Sequence, residues 1–297
     1  MKKNILIVLS GVLFFACDRV EDPVQKKDGA FDEDLCAEQT FDPNTNTKRN
    51  VLIEDFTGHT CTGCPGAAYI VEQMEQTYGE QVIGIAMHAG FFAEPYPAGT
   101  IKFETDFRSE YGSALHNDFG PINSYPKGMI NRSDTVLNNG SRLFGKDEFE
   151  NAFLRFKDQA PAANLQIKHT YDDNDRTLCV SVETEALQQL SGEFNVVIAI
   201  IEDSIVDWQK NGTAGSGSPN YSPGDVQNYV HNHVLRNNVN GMYGERIISG
   251  NLSASEKIVS NYTSTLDANW NDEHLNIVAY LMNWSTKEVI QVVKVHM

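Results

Sequence analysis

Cys61 and Cys64 form a CxxC pair in the stretch DFTGHTCTGCPG, residues 55–66. Two cysteines at this spacing can bind a metal, form a structural crosslink or exchange electrons with other thiols. A structural zinc site usually needs four ligands, and no second CxxC or spaced Cys/His pair lies nearby. Covalent haem attachment needs a histidine after the second cysteine, where Pro65 stands. The pair is therefore interpreted as a crosslink or a redox site.

A redox CxxC pair is expected between the end of a strand and the N-terminus of a helix. The apolar run NVLIEDF predicts a buried strand, and Ile70, Met74 and Tyr78 are spaced by four and followed by Gly79, as in a helix with its stop signal. QVIGIAMHA predicts a second buried strand, so the two strands should be parallel with a crossover helix. At the start of that helix the backbone N–H groups favour a thiolate at Cys61.

Further elements follow in the order helix, strand, strand, helix. Phe103, Phe107, Tyr111 and Leu115 are again spaced by four, which predicts a helix. SYPKGMINR predicts a short strand opened by Pro126, and KDEFENAFLRFKDQA predicts the last helix.

The segment VLIEDFTGHTCTGCP resembles the active site of thioredoxin-like proteins. The resemblance implies that Cys61 is the exposed nucleophile, Cys64 the resolving thiol and Asp55 a buried carboxylate that relays protons to it. SYPKGM resembles the loop that places a cis-proline against the disulfide, which implies a cis Tyr125–Pro126 bond and a Tyr125 backbone free to pair with an extended substrate.

Two features depart from that resemblance and bear on substrate and redox potential. Thr60 stands where a tryptophan is common, and the segment GFFAEPYPAG enlarges the domain. His59 and His88 could lie near the site, but the favoured interpretation is a solvated loop histidine and a strand-end histidine.

The chain changes character near QAPAAN, residues 159–164. Seven predicted strands follow with little helix, which is typical of a β-sandwich. The predicted fold is therefore an α/β thioredoxin-like domain over residues 48–160 followed by an all-β sandwich over residues 161–297. The Gly/Ser/Pro-rich stretch NGTAGSGSPNYSPG, residues 211–224, is predicted to be a surface loop.

Two histidines and a cysteine of the second half are further candidate site residues. His231 and His233 would share one face of a strand, but two ligands without a third favour hydrogen-bonded histidines, and no metal site is predicted. Cys179 is predicted to be a buried thiol in an alternating strand. Its pairing with Cys36 is left open.

The N-terminal stretch MKKNILIVLSGVLFFACD has a basic start, an apolar run and a small residue before Cys17. It resembles a bacterial lipoprotein signal, residues 1–16, which implies lipidation of Cys17; the alternative is a secretory signal with a chance cysteine. Residues 17–47 are polar and predict a flexible tether. The membrane, reached through the lipid, is thus an expected partner.

A formal charge of −17 and a pI of about 4.8 argue against nucleic acid as a partner. From residue 17 to 297, the lipoprotein signal, the CxxCP domain with YPKGMINR, and a β-rich part with YVHNHVLR and GMYGE resemble one family. This is the outer-membrane lipoprotein family of Bacteroidota-type bacteria named after a twenty-eight-kilodalton outer-membrane protein (Omp). The resemblance implies the outer membrane as location, facing the periplasm or the cell surface.

Two functions from different classes remain. The favoured one is an envelope thiol–disulfide oxidoreductase without a cofactor, acting on protein thiols or disulfides through Cys61, Cys64, Asp55 and Pro126. The alternative is a cell-surface binding or adhesion lipoprotein whose CxxC is structural or vestigial. A fold alone does not decide between them.

Overall fold

The computed structural model describes residues 29–133 and 140–297. The predicted signal, residues 1–16, and Cys17 lie outside these residues. Within them are three α-helices, Cys64–Tyr78 (α1), Glu110–Asp118 (α2) and Phe149–Phe153 (α3). No helix in the described part of the chain is long and apolar enough to cross a membrane.

Strands dominate the described residues, and several short 3₁₀ turns connect them. The strands are Val51–Thr57 (β1), Val82–His88 (β2), Lys127–Ile130 (β3), Ala163–Asp172 (β4), Thr177–Ala186 (β5), Leu190–Glu202 (β6), Ile205–Asn211 (β7), Gly224–His231 (β8), Val234–Asn238 (β9), Glu245–Leu252 (β10), Lys257–Thr265 (β11), Leu275–Asn283 (β12) and Val289–His296 (β13).

The strand–helix–strand unit that carries the CxxC pair forms as the sequence predicts. β1 and β2 are parallel, with Val51 opposite Val82, and α1 connects them. β3 runs antiparallel to β1 on its other edge, with Asp55 opposite Gly128. All seven residues of β1 are buried, which explains why its sequence reads as a nearly continuous apolar run.

One sheet connects the two halves of the chain. Its strand order is β13-β12-β6-β9-β2-β1-β3, with β10 also paired to β6. The junction between the halves is narrow, because β2 and β9 pair only at Ala86 and Val234. The predicted boundary at residue 160 therefore marks a change of architecture within one continuous mixed sheet.

The second half is mostly β, as predicted, and two sheets pack together there, but the larger one extends into the first half. A three-stranded sheet, β11-β5-β4, packs on the second-half strands of the large sheet. Val180 and Val182 of β5 share an apolar core with Ile198 of β6 and Ile277 of β12. On the opposite face, Leu52 and Ile85 share a second core with residues of the same strands, β6 and β12.

A buried ion pair also joins the halves. The Arg132 guanidinium, just after β3, donates to both carboxylate oxygens of Glu54 at 2.7 and 2.6 Å and to the hydroxyl oxygen of Tyr280 on β12 at 2.8 Å. Arg132 has no exposed surface and Glu54 is 1% exposed. The ion pair joins β1 to the residue after β3, and the hydrogen bond from Arg132 to Tyr280 extends this buried network to β12 in the second half. Sequence analysis did not identify the network.

The predicted flexible tether is wrong for its described part. Residues 29–47 lie along the small sheet, where Lys168 donates to the carbonyl of Thr40 and Asn44 donates to the carbonyl of Leu165. A disulfide joins Cys36 to Cys179 on β5. Cys179 is buried, as predicted, and the structure pairs it with Cys36, which the sequence left open.

Two other predicted elements differ from the structure. The helix predicted from Phe103 onward begins only at Glu110, because Phe103 and Phe107 instead pack on the His59 ring from a loop. The strand predicted from YVHNHVLR is broken into β8 and β9 at His233, whose φ of 59° is incompatible with a strand.

Candidate functional site

The CxxC pair closes a disulfide at the start of α1. The Cα atoms of Cys61 and Cys64 lie 5.5 Å apart, and Cys64 is the first residue of the helix, with Gly63 at the N-cap. Pro65 occupies the first turn, where its missing N–H costs nothing. The backbone N–H of Cys64 donates to the Sγ of Cys61 at 3.1 Å. The helix start is thus directed at the sulfur of Cys61.

The disulfide is not exposed, which corrects the prediction of an exposed Cys61. Cys61 is 3% exposed and Cys64 is 2% exposed. A sulfur this deeply covered can meet a macromolecular partner only if a neighbouring segment moves.

The residues expected to flank the disulfide lie beside it. The Tyr125–Pro126 peptide bond is cis, as predicted, and a second cis bond joins Gly120 to Pro121. A side chain on Gly63 would lie 3.1 Å from Cδ of Pro126, so the proline contacts the segment between the cysteines. The hydroxyl of Tyr125 donates to the carbonyl of Ala89 at 3.0 Å, which fixes the ring above the end of β2.

Asp55 is a buried carboxyl group on β1. It is 5% exposed, and its Oδ1 has no hydrogen-bond partner. Burial raises the pKa of Asp55 to about 8, because the charged form loses its hydration. Asp55 is therefore mostly protonated at neutral pH and can give a proton to a neighbouring thiolate.

Asp55 and Cys64 line the same cavity, of about 620 Å³, which lies between α1 and the hairpin formed by β7 and β8. His88 and His231 also line it, with their ring centroids 5.6 Å apart. Both nitrogens of His88 and Nε2 of His231 lack a hydrogen-bond partner. Tyr229, next to His231 on the same hairpin, completes this wall.

The two cavity histidines are held neutral. Burial lowers the pKa of His88 well below its ordinary value, and the nearby His231 adds to this effect. Burial also lowers the pKa of His231 to about 3, although Asp207 opposes the shift. The cavity that Asp55 and Cys64 line therefore presents uncharged imidazoles with unpartnered nitrogen atoms.

His59 and His233 have structural contacts. His59 is fully buried, which corrects the prediction of a solvated loop histidine. Its Nε2 lies 3.1 Å from the carbonyl oxygen of Glu94, and burial lowers the pKa of His59. His233 faces Glu75 of α1, with Nε2 3.3 Å from Oε2. It is not on one strand face with His231, contrary to the prediction. Across residues 29–133 and 140–297, no group of three His, Cys, Asp or Glu side chains is arranged to hold a metal.

Residues from the second half cover the CxxC segment, and sequence analysis missed them. The side-chain amide of Gln209, at the end of β7, donates to the carbonyl of Cys61 at 3.0 Å. The backbone N–H of Gly212 donates to the carbonyl of Thr62 at 2.7 Å. The Gly/Ser-rich composition predicted a loop here, but nothing in the sequence indicated where it packs.

The family model described as "Outer membrane protein Omp28" matches residues 113–297. No curated protein matches the chain significantly. Among solved structures, HBP35 of Porphyromonas gingivalis has a similar fold, with a TM-score of 0.59 and 16% identity over 86% of this chain and 77% of that one.

Two further solved structures resemble the chain more distantly. AGR_C_4864 from Agrobacterium tumefaciens has a TM-score of 0.49 and 12% identity over 82% of this chain and 93% of that one. A domain of the outer membrane lipoprotein Omp28 from Porphyromonas gingivalis has a TM-score of 0.31 and 21% identity over 46% of this chain and 88% of that one.

Proposed function

Because the chain belongs to the outer membrane protein Omp28 family, which places it in the outer membrane, we propose that it is an envelope thiol–disulfide oxidoreductase acting through Cys61 and Cys64. A lipid on Cys17 would hold it at the membrane and is part of the same proposal. The observation that carries it is the N–H of Cys64 donating to the sulfur of Cys61 at a helix start, because this contact stabilises a thiolate there.

The surroundings of the disulfide support a thioredoxin-like site. A strand–helix–strand unit carries the cysteines, cis-Pro126 lies against Gly63, and Asp55 lies on β1 in the cavity that Cys64 lines. These features come from separate elements, so a crosslink alone gives no reason for their coincidence.

The proposed exchange has two steps. A thiolate of a protein dithiol attacks Sγ of Cys61, the Cys61–Cys64 bond breaks, and Cys64 leaves as a thiolate that takes a proton from Asp55. The partner's second thiolate then attacks the partner sulfur of the mixed disulfide and releases Cys61 as a thiolate. The partner gains a disulfide, and the two electrons reside on Cys61 and Cys64; the reverse sequence oxidises this pair again. The backbone of Tyr125 is proposed to align the extended partner segment.

Trapping of partners tests this function. In envelope extracts, the Cys61 thiolate of Cys64→Ser should attack partner disulfides and remain bonded to them, because Cys64 is the thiol that resolves the mixed disulfide in this reverse direction. Cys61→Ser should trap no partner. The readout is a band on a non-reducing gel that disappears with reductant.

A binding lipoprotein with an inert CxxC crosslink is the second candidate, and the burial of both cysteines favours it. It predicts that neither variant traps a partner and that the disulfide survives reductant as long as the protein stays folded. Those two results together would replace the oxidoreductase proposal.

A further inference from the structure

Residues 212–217, here called the cover loop, pack on the CxxC segment, and glycines at the contact allow the two backbones to approach closely. A side chain on Gly66, in the first turn of α1, would overlap the carbonyl group of Ser216. One on Gly212 would lie 2.9 Å from the carbonyl oxygen of Thr62. The loop backbone can approach the helix start this closely only because these positions lack a Cβ atom.

The cover loop has its own internal structure. The backbone N–H groups of Ser216 and Gly217 both donate to the carbonyl of Thr213 at 3.0 Å. Asn211 closes the base of the loop, because its side chain accepts from the N–H of Ser218 at 2.8 Å and donates to the carbonyl of Tyr221 at 2.8 Å. The loop is thus a compact unit that can move as a whole.

The tip of the loop is held by a lysine from the other half of the chain. Nζ of Lys146 donates to the carbonyl of Gly215 at 3.2 Å and pairs with Asp147 at 2.8 Å. Gly215 has a φ of 87°, and a Cβ atom at this position would meet open space. Lys146 thus holds the outer end of the loop through its hydrogen bond to Gly215.

We propose that the cover loop determines which thiols reach the disulfide, and that Lys146 and Asn211 are positioning residues that keep it seated. A partner must displace residues 212–217 from the helix start before its thiolate can attack Cys61, so partners able to bind in place of the loop are selected. This inference rests on the proposed oxidoreductase function.

The experiment compares the rates of reduction of the Cys61–Cys64 disulfide by dithiothreitol in Lys146→Met, Gly66→Ala and the unaltered protein. Lys146→Met should raise the rate about threefold, since one charge-assisted contact is lost. Gly66→Ala should raise it about tenfold or more, because the added methyl group unseats Ser216. Alanine favours a helix, so this variant is expected to fold.

Lys157→Met is the matched control. Lys157 pairs with the adjacent Asp158 at 2.7 Å, much as Lys146 pairs with Asp147, but its other contacts are remote from the cover loop. Its reduction rate should equal that of the unaltered protein.

The redox potential of the pair separates access from stability. A loop that only controls access changes the rates of reduction and reoxidation by the same factor and leaves the potential unchanged. If the disulfide exchanges but its reduction rate is unchanged in both Lys146→Met and Gly66→Ala, the proposed role of the cover loop is wrong. The proposed oxidoreductase function would stand. A shifted potential would also overturn the proposed role of the cover loop. If the disulfide does not exchange in any of the folded variants, the proposed oxidoreductase function is wrong instead.

Discussion

The backbone N–H of Cys64 points at the sulfur of Cys61 across 3.1 Å. In the reduced protein this group and the helix dipole stabilise the Cys61 thiolate, whereas Cys64 lies inside the helix and lacks the same help. The two chemically identical side chains are thereby made unequal, because Cys61 precedes the start of α1 and Cys64 is its first residue.

The first prediction concerns the acidity of Cys61. In Cys64→Ser, which keeps the backbone N–H, the rate of alkylation by iodoacetamide should rise with a midpoint below the value of about 8.5 for an ordinary thiol. The control is the same variant in urea, where the midpoint should return to that value. A midpoint in the folded protein equal to the unfolded one would contradict the assignment of Cys61 as nucleophile, whatever the absolute rate.

The second prediction concerns Asp55. Its folded pKa of about 8 lies above the unfolded value, so its contribution to stability is present below about pH 4 and is lost as the pH rises through 8. Between these limits the free energy of unfolding should fall by about 5 kcal/mol, since the pKa difference of about four units counts at about 1.4 kcal/mol per unit. Asp55→Asn should remove this slope. Chemical denaturation at several pH values measures it.

Asp106 provides a control of opposite sign. A hydrogen bond from the exposed Arg108 lowers the pKa of Asp106, so its small contribution to stability is present above the unfolded pKa and is lost in acid. Asp106→Asn should leave the slope between pH 4 and pH 8 unchanged. If Asp55→Asn keeps the full slope as well, Asp55 does not titrate near pH 8.

The third prediction concerns the buried pair of Glu54 and Arg132. Arg132→Met leaves the Glu54 charge without its partner inside the core and should cost about 3–5 kcal/mol of unfolding free energy. Combining it with Glu54→Gln should recover part of the loss. Arg108→Met, which breaks the exposed pair with Asp106, should cost about 1 kcal/mol or less. Equal losses for Arg132→Met and Arg108→Met would show that the buried pair is not essential to the junction.

The fourth prediction concerns the disulfide between Cys36 and Cys179. The two residues are 143 positions apart, and a crosslink closing so long a loop is expected to stabilise the fold by about 4–5 kcal/mol through the entropy of the unfolded chain. The double variant Cys36→Ser, Cys179→Ser should lose that much in thermal or chemical unfolding. Its Cys61–Cys64 disulfide should still react with dithiothreitol at the unaltered rate.

The local part of the site was predictable because its residues lie on neighbouring elements. Asp55, Cys61 and Cys64 share one strand–loop–helix segment, and Pro126 opens the strand beside β1, so short motifs carry their arrangement. The contacts that the second half makes with the CxxC segment were not predictable. Gln209 reaches Cys61 from β7, whose sequence IVDWQKN has no clear alternation between apolar and polar residues.

Periodicity also misled where aromatic residues pack from a loop. Phe103 and Phe107 have helical spacing, yet they fill the space around His59 and His88, and no property of the spacing distinguishes the two cases. The shared sheet was equally hidden, because Ala86 and Val234 each lie in ordinary strand patterns that do not identify a partner strand.

The bond between Cys36 and Cys179 decides how a pull on the N-terminal end would travel through the molecule. Tension entering at residue 29 passes through this covalent link into β5 of the small sheet. The segment between the two cysteines, which includes β1, the CxxC pair and β2, is bypassed by this covalent route. A load at the N-terminus therefore reaches β5 without passing along the backbone of the strand–helix–strand unit that carries Cys61 and Cys64.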